Sequence, residues 1–431
     1  MFYKETEFQE TKTGKIPSNW QAAVLSELSE HITKGTTPTT LGFSYKSSGI
    51  NFIKVESIDD HGNFVPENVP HISKEANSAL SRSVLKEKDI LFSIAGALGR
   101  VALVTEKMLP ANTNQALSIV RVKEKEKILP EYLKYFLMGP NIQGFVKSIA
   151  IQSQQANLNL EQIRDFRVGL PSLSEQKAIV GVLGVVDSAL ELADRVIAKT
   201  EQVKKGLMQQ LLTCGIGHTE YKQTSMGKIP KEWQVFELKD VSEVTDGSHW
   251  SPKEIEKSDY KIATVANMGD NQIDIESCKS ISKEDFERLI RTGDVPAEGD
   301  ILFSKDGTIG VSFAFQQQRH NIGLLSSIAI IKPNRKVISP QFGSYALKSP
   351  KVFRQIMGWK TGTAIGRITI EHLNVIRIPV PALSEQKEIA QILSITDTKL
   401  ELERKEKRKL EYVREGLMNL LLTGKVRIKV D

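Results

Sequence analysis

Leu173–Ser174–Glu175–Gln176–Lys177 returns unchanged as Leu383–Ser384–Glu385–Gln386–Lys387, 210 positions later. The offset holds along both stretches. Gly206–Leu207–Met208 recurs as Gly416–Leu417–Met418, and Leu211–Leu212–Thr213 as Leu421–Leu422–Thr423. An offset kept over this length marks a duplicated unit. Outward from these segments the repetition continues. Gly14–Lys15–Ile16–Pro17 with Trp20 answers to Gly227–Lys228–Ile229–Pro230 with Trp233. Asp89–Ile90–Leu91–Phe92–Ser93 answers to Asp300–Ile301–Leu302–Phe303–Ser304; Gly96 and Gly99 follow the first, Gly307 and Gly310 the second. Leu158–Asn159–Leu160–Glu161 aligns with Ile368–Thr369–Ile370–Glu371.

Both quoted segments open long helices. In the first, Ile179, Leu183, Val186, Leu190, Ala193, Ile197, Thr200, Leu207 and Leu211 fall on one seam spaced 4 and 3, with Lys204 in the remaining position. That is the heptad pattern of a two-helix coiled coil. Pro171 precedes Ser174, the expected N-cap, and Glu175 sits near the positive end of the dipole. The second seam matches through Ile389, Leu393, Thr396, Leu400, Leu410, Leu417 and Leu421, but Glu403, Lys407 and Arg414 interrupt it. The first helix leaves one module and enters the next, so the second can bury its stripe on the first only by running back. The expected pair is antiparallel, with Glu403, Lys407 and Arg414 opposite Ile197, Ala193 and Val186. Each helix would span about 57 Å at ~1.5 Å per residue.

Before each helix, short apolar runs alternate with turn residues. Ile50–Val55, Ile90–Ile94, Val101–Val104 and Leu117–Val122 read as strands, and Glu131–Met138 as a short helix. Ile262–Val265, Ile301–Phe303, Val311–Phe315 and Ser327–Ile331 form the second set. Without a regular βαβ rhythm the class is α+β: two mixed globular modules, 1–171 and 215–381, and two spacer helices, 172–214 and 382–431, in a pseudo-two-fold repeat of about 210 residues.

The 431 residues are 40% hydrophobic and 26% charged, with net charge +6, and the isoelectric point is near 9.0. This is the composition of a chain that can build ordinary cores, and the mild basic excess permits a polyanionic partner without demanding one. Cys214 and Cys278 form no disulfide framework, which fits a reducing cytoplasm. No signal peptide is expected at the start, and no apolar run approaches the ~18 residues of a membrane span.

Catalytic signatures are missing. There is no Pro-Pro pair of the kind an adenine methyltransferase motif needs, no G-x-G-x-x-G or G-x-x-x-x-G-K-[ST], and no Pro-Asp dipeptide to open a nuclease carboxylate motif. Cys214 and His218 alone do not make a zinc site. Binding signals are present instead. Lys34–Gly35–Thr36–Thr37–Pro38 and Asp246–Gly247–Ser248–His249–Trp250 hold matching places and carry the hydroxyls, amides and cations that phosphate contacts use. Asn112, Asn114 and Gln115 carry amides suited to adenine edges. Each of these could equally be an ordinary turn or cap. Gln152–Ser153–Gln154–Gln155–Ala156–Asn157 and Gly362–Thr363–Ala364–Ile365–Gly366–Arg367 precede the last strand of each module and differ strongly, as readers of two different targets should. Lys360 and Arg367 add charge to the second, Arg100 and Lys147 to the first.

On these features the chain resembles the specificity subunit of type I restriction–modification systems. The resemblance rests on the paired G-K-I-P-x-x-W starts, the D-I-L-F-S segments with spaced glycines, the paired L-S-E-Q-K helices ending in G-L-M-x-x-L-L-T, and the loops at 36–38 and 246–249. It implies a non-catalytic reader of double-stranded DNA. Two target recognition domains would each read half of a split, asymmetric site, while the helices set the gap and dock two methyltransferase subunits. Two restriction subunits would join them, and S-adenosylmethionine, ATP and Mg²⁺ would belong to those partners; no metal or catalytic residue is expected here. The candidate DNA contacts are Lys34, Thr36, Thr37, Arg100, Asn112, Asn114, Gln115, Gln152, Gln154, Gln155 and Asn157 in the first half. In the second they are Ser248, His249, Trp250, Lys305, Lys360, Thr361, Thr363 and Arg367. The candidate helix-pairing or partner surface is Ile179, Leu183, Val186, Leu190, Ile197, Leu207, Leu211, Ile389, Leu393, Leu400, Leu410, Leu417 and Leu421. An enzyme with an unfamiliar site and a coiled-coil scaffold that binds no DNA are the competing readings.

Overall fold

The computed structural model describes residues 2–11, 14–123, 126–152, 157–316, 321–359 and 366–430. The chain forms two compact units, Met1–Asp194 with Lys405–Asp431, and Arg195–Arg404. The long helices run Leu173–Cys214 and Leu383–Leu422, so each unit holds one module and a stretch of both helices.

The D-I-L-F-S segments form the centre of each module. In the first unit a four-stranded antiparallel sheet has the spatial order Ser29–Lys34, Leu117–Val122, Ile90–Ser93, Val101–Leu103. Ile90 and Phe92 face one core, with Tyr132, Phe136, Ile179 and Leu183. Leu91 faces a second core, with Ile53, Ala102 and Ile119. Both faces are covered, which is why the strand reads as an unbroken apolar run instead of an alternation. The second unit repeats the order as Ser242–Asp246, Ile328–Pro333, Ile301–Ser304, Ser312–Ala314. A smaller sheet in each holds a parallel pair, Ile50–Ile53 with Ala111–Thr113 and Tyr260–Ala263 with Asn321–Leu324. Helices Pro140–Gln152, Lys283–Thr292 and Pro350–Gly358, which short-range pattern did not announce, complete the modules.

The expected cap at Ser174 is corrected. The first long helix begins at Leu173, and Ser172 Oγ accepts from the Glu175 amide at 3.3 Å. That frees the Glu-Gln pair for another task. Gln176 is wholly buried. Its carbonyl accepts from the Leu129 amide at 2.9 Å, and its amide donates to the Lys127 and Pro171 carbonyls. Gln386 makes the same bonds to Ser339, Val337 and Pro381. Glu175 is 3% exposed and takes both nitrogens of the Arg427 fork at 2.6 and 2.7 Å. Arg427 sits in the strand Val426–Ile428, which pairs with Phe2–Lys4. Glu385 accepts from Trp233 Nε1, the Ile216 amide and His218 Nε2. The repeated motif is therefore a joint that ties each long helix to its own module and to the chain segment arriving from the other helix.

Within each unit the two helix stretches run antiparallel. The polar seam residues bond to polar side chains beside those apolar positions. Glu403 accepts from Thr200 Oγ1 at 3.2 Å. Lys407 pairs with Asp194 at 2.5 Å, next to Ala193, and Arg414 with Asp187 at 2.6 Å, next to Val186. Charged side chains reach past the seam to the flanking acid, where the interaction is better than against an aliphatic wall. Lys204 does the same with Asp397. Asp187 also accepts from Tyr135 Oη and Asp397 from Tyr345 Oη, both at 2.7 Å. Thus Tyr–Asp–cation triads recur at an offset of 210, each linking a module helix to both long helices. Among the seam residues, Ile179, Leu183, Leu190, Leu211, Ile389, Leu393, Leu400 and Leu421 are buried. Val186, Ile197, Leu207, Leu410 and Leu417 are partly buried.

Lys348 breaks the symmetry of these triads. It stands where the first unit has Met138, and burial, followed by the Lys204 ammonium, pulls it down to about 8. The unfolded chain therefore binds more protons between about pH 8 and 10.5, so this group's cost is full at neutral pH and fades as pH rises through that window. Lys348→Met is expected to stabilise the protein by about 1–2 kcal/mol at pH 7, discounted for partial exposure, and by less at pH 10. Urea unfolding at both pH values measures this; an advantage that grows with pH contradicts it.

Candidate nucleic-acid interface

Three of the sequence-flagged segments in the first unit converge. The chain leaving Ser29–Lys34 enters the loop at Gly35, where a Cβ would lie 1.8 Å from the Thr113 carbonyl oxygen. Only glycine allows that approach. It brings Gly35 N onto Asn114 O at 3.1 Å and lets Thr37 Oγ1 donate to Gln115 Oε1. Lys34 and Gln115 are exposed, and Thr36 and Thr37 half-buried, with Arg82 donating to Thr36. The Ile94 carbonyl, at the hairpin after Ile90–Ser93, accepts from Leu158 N, and so places the exposed Asn157 on the same loop cluster. Gln152 ends the helix Pro140–Gln152. Gln154 and Gln155 lie outside the described residues.

The second unit uses the same construction with other side chains. Gly247 approaches Leu324 and Leu325 as Gly35 approaches Thr113. Ile368 N donates to the Lys305 carbonyl and places Arg367 where the first unit has Asn157. Asp246 stands for Lys34, and Lys305 for Ile94. Lys305 is 4% exposed and lies 3.3 Å from Asp246 and 3.7 Å from Asp306. Arg367 clamps Asp306 through Nε at 2.9 Å. His249 projects into solvent and touches Asp246, and the Trp250 ring carries the Arg288 guanidinium at 4.1 Å. Lys360, Thr361 and Thr363 lie outside the described residues.

Other flagged residues face inward. Asn112 is fully buried, and its amide is engaged by Ser83, Asn77 and the Leu80 carbonyl. Asn114 holds its own turn through Ala116 N, and Ser248 holds Trp250 N. Arg100 is turned to Asp60 and to the Val55 and Ile58 carbonyls. These side chains shape the loops from behind. Cys214 is exposed and unpaired, while His218 is bound to Glu385. Among the described residues no His, Cys, Asp and Glu cluster is placed to hold a metal ion, and no helix is long and apolar enough to cross a membrane.

A further surface escaped sequence reasoning. Val185, Leu192, Val196 and Val203 are 39–70% exposed on the first helix, and Ile395, Leu402, Val413 and Leu420 are 40–61% exposed on the second. They lie one position before the buried seam, so they form a second stripe on the same 4,3 spacing. Val185, Leu192 and Val203 match Ile395, Leu402 and Val413 at an offset of 210. The signal was legible as a second heptad register running beside the first.

A family model described as the type I restriction modification DNA specificity domain matches residues 17–202 and again 230–412. The putative type I restriction enzyme MjaX specificity subunit of Methanocaldococcus jannaschii is 29% identical over 443 residues, covering 99% of this chain and 98% of that one. The MjaVIII specificity subunit of the same organism is 27% identical at the same coverage. Among solved structures, a type I restriction–modification S subunit from M. genitalium covers 98% of this chain and 100% of its own, with TM-score 0.54 and 14% identity. A chain from a study of complex assembly and conformational transition of the type I R-M system covers 95% of this chain and 99% of its own, with TM-score 0.56 and 19% identity.

Lys305 neutralises two carboxylates at the centre of the second loop cluster. Lys305→Met leaves both without that cation and is expected to destabilise the protein by about 2 kcal/mol, since Asp246 and Asp306 keep some solvent contact. Urea unfolding measures it; no loss of stability would show that the loop does not depend on this ion cluster.

Proposed function

The chain belongs to the type I restriction–modification DNA specificity family, recognises DNA sequence and is not itself an enzyme, and from that premise we propose that its two modules read the two halves of a split, asymmetric duplex site. The observation that carries this is the paired loop cluster: the backbone construction is kept in both halves while the side chains it presents diverge, Lys34 against Asp246 and Asn157 against Arg367, over a buried exchange of Ile94 for Lys305. Conserved scaffolding with exchanged tips is what two readers of different sequences require. The proposed contacts in the first half are Lys34, Thr36, Thr37, Gln115 and Asn157 with Gln152, Gln154 and Gln155. In the second they are His249, Trp250 and Arg367 with Lys360, Thr361 and Thr363. Arg100, Asn112, Asn114, Ser248 and Lys305 support these loops.

The helices, 42 and 40 residues long, would act as a spacer of about 60 Å at ~1.5 Å per residue. The duplicated exposed stripe would dock two copies of one partner, the methyltransferase subunit, because a surface repeated in both halves suits a partner present twice. Two restriction subunits would complete the assembly. S-adenosylmethionine, ATP and Mg²⁺ would be bound by those subunits, and the complex would work in the cytoplasm, where its DNA is.

Adenine methylation mapped genome-wide, with this chain expressed beside its methyltransferase subunit, tests the reading. The expected result is a split motif of fixed gap with one methylated adenine in each half, on opposite strands. An intact complex that methylates without a motif would refute it. Removing one matched heptad from both helices should shorten the gap by about 10 Å, or about three base pairs; an active variant with its gap unchanged contradicts the spacer role. For docking, Leu192→Glu with Leu402→Glu should leave the chain folded, since both side chains already face solvent, yet abolish methyltransferase association on size-exclusion chromatography. Normal assembly of the double variant would remove the stripe from consideration.

A further inference from the structure

The second unit carries a basic groove that none of the proposed reading loops shares. A cavity of about 560 Å³ lies between the turn of the hairpin Tyr221–Pro230, the start of the helix Pro350–Gly358 and the strand Arg377–Val380. Lys228, Lys351, Arg354 and Arg377 line it, with no carboxylate among its lining residues. The side chains are held, not merely nearby. Lys351 Nζ donates to the Lys228 carbonyl at 2.9 Å, and Gly227, at φ 83°, leaves it room. Gln355 forms the floor, accepting from Arg377 N and donating to Arg377 O. Glu237 reaches Arg377 from outside at 3.7 Å and is itself closer to Lys239. Burial, reinforced by Arg354, holds the Lys351 ammonium below its ordinary value, and a bound anion would relieve that.

The first half lacks this feature. At the corresponding places stand Lys15, retained but paired with Glu10 at 3.1 Å, then Asn141, Gly144 and Phe145, with Arg167 also retained. A partner that binds both halves alike would not use a surface built in one. Nor does the groove suit a protein surface, since its one apolar member, Met226, is 8% exposed and offers no anchor. Cations held around a polar floor match a polyanion backbone.

We propose that this groove binds the phosphodiester backbone of duplex DNA flanking the half-site read by the second module. The proposal rests on the DNA-reading assignment above. It makes the footprint asymmetric: flanking duplex matters on the second module's side and not on the first's.

The test uses the chain assembled with its methyltransferase subunits and duplexes carrying the mapped motif, either trimmed to it or extended on one side. Extension beyond the second half-site should tighten binding, with a salt slope steeper by about 1.8 for two phosphates, so that the advantage shrinks roughly tenfold between 50 and 200 mM salt. Extension beyond the first half-site should not. Lys351→Gln with Arg354→Gln should erase the advantage while affinity for the trimmed duplex stays the same. Arg354→Glu, at an exposed position, serves if the double variant does not fold. Motif-specific binding that ignores flank and variant alike overturns the groove and leaves the reading intact. No motif preference overturns the reading itself. Loss of methyltransferase assembly in either folded variant overturns the proposal in favour of a protein-docking surface.

Discussion

The fold depends on a joint of four side chains, the buried Glu175 and Gln176 in one unit and the half-buried Glu385 with the buried Gln386 in the other. Each glutamine meets backbone groups that no secondary structure would satisfy, at the entry to a module helix and at the start of a spacer helix. Buried backbone polar groups left unpaired are costly, so the amide is a structural requirement. Each glutamate then holds the returning chain: the Arg427 fork in the first unit, and Trp233, Ile216 N and His218 in the second. The two solutions differ in what they leave over. Arg427 lies over Trp20 at 5.3 Å and the indole nitrogen of Trp20 has no partner, whereas Trp233 gives its nitrogen to the carboxylate.

The polar residues that interrupt the second heptad seam follow from the same economy of partners. Arg414 and Lys204 are cations in seam positions, and each finds an aspartate that a module tyrosine also binds. A leucine in either place would pack on its neighbour helix but leave the aspartate and the tyrosine without their cation. Such a triad therefore specifies register as well as contributing to stability. It also couples the module helix to the long helices, which a plain apolar seam would do less selectively. Leu211, Ile389 and Leu393 on one side, and Ile179, Leu183 and Leu421 on the other, merge with the module cores instead of forming a separate zipper.

Much of this was legible in the chain. The duplication, the strands at Ile90–Ser93 and Ile301–Ser304, and both long helices follow from apolar spacing and from residues repeated at one offset. The helices Pro140–Gln152 and Lys283–Thr292 did not, because Pro140 and Gly144 interrupt the first and the second is short and strongly charged. Of the candidate site, the loops were located but the direction of their side chains was not. Asn112 and Arg100 look like contact residues by type, yet one is fully buried and the other is bound to Asp60 and two carbonyls. Residue type states what a group can bond; it does not state which partner reaches it first.

The sequence by itself determined that the chain is a tandem of two like modules and two like helices, since periodicity and a constant offset are local properties of the string. Tertiary structure alone decided that Glu175 and Glu385, in the first turns of the long helices, anchor the returning chain, that Arg414 and Lys407 meet Asp187 and Asp194, and that the loop at Lys34 lies beside Gln115. The reason is that each of these depends on contacts made across many residues of chain. Hydrogen-bond and ion-pair energies fall away within a few ångströms, and that distance between residues far apart in sequence is set only when the cores have closed.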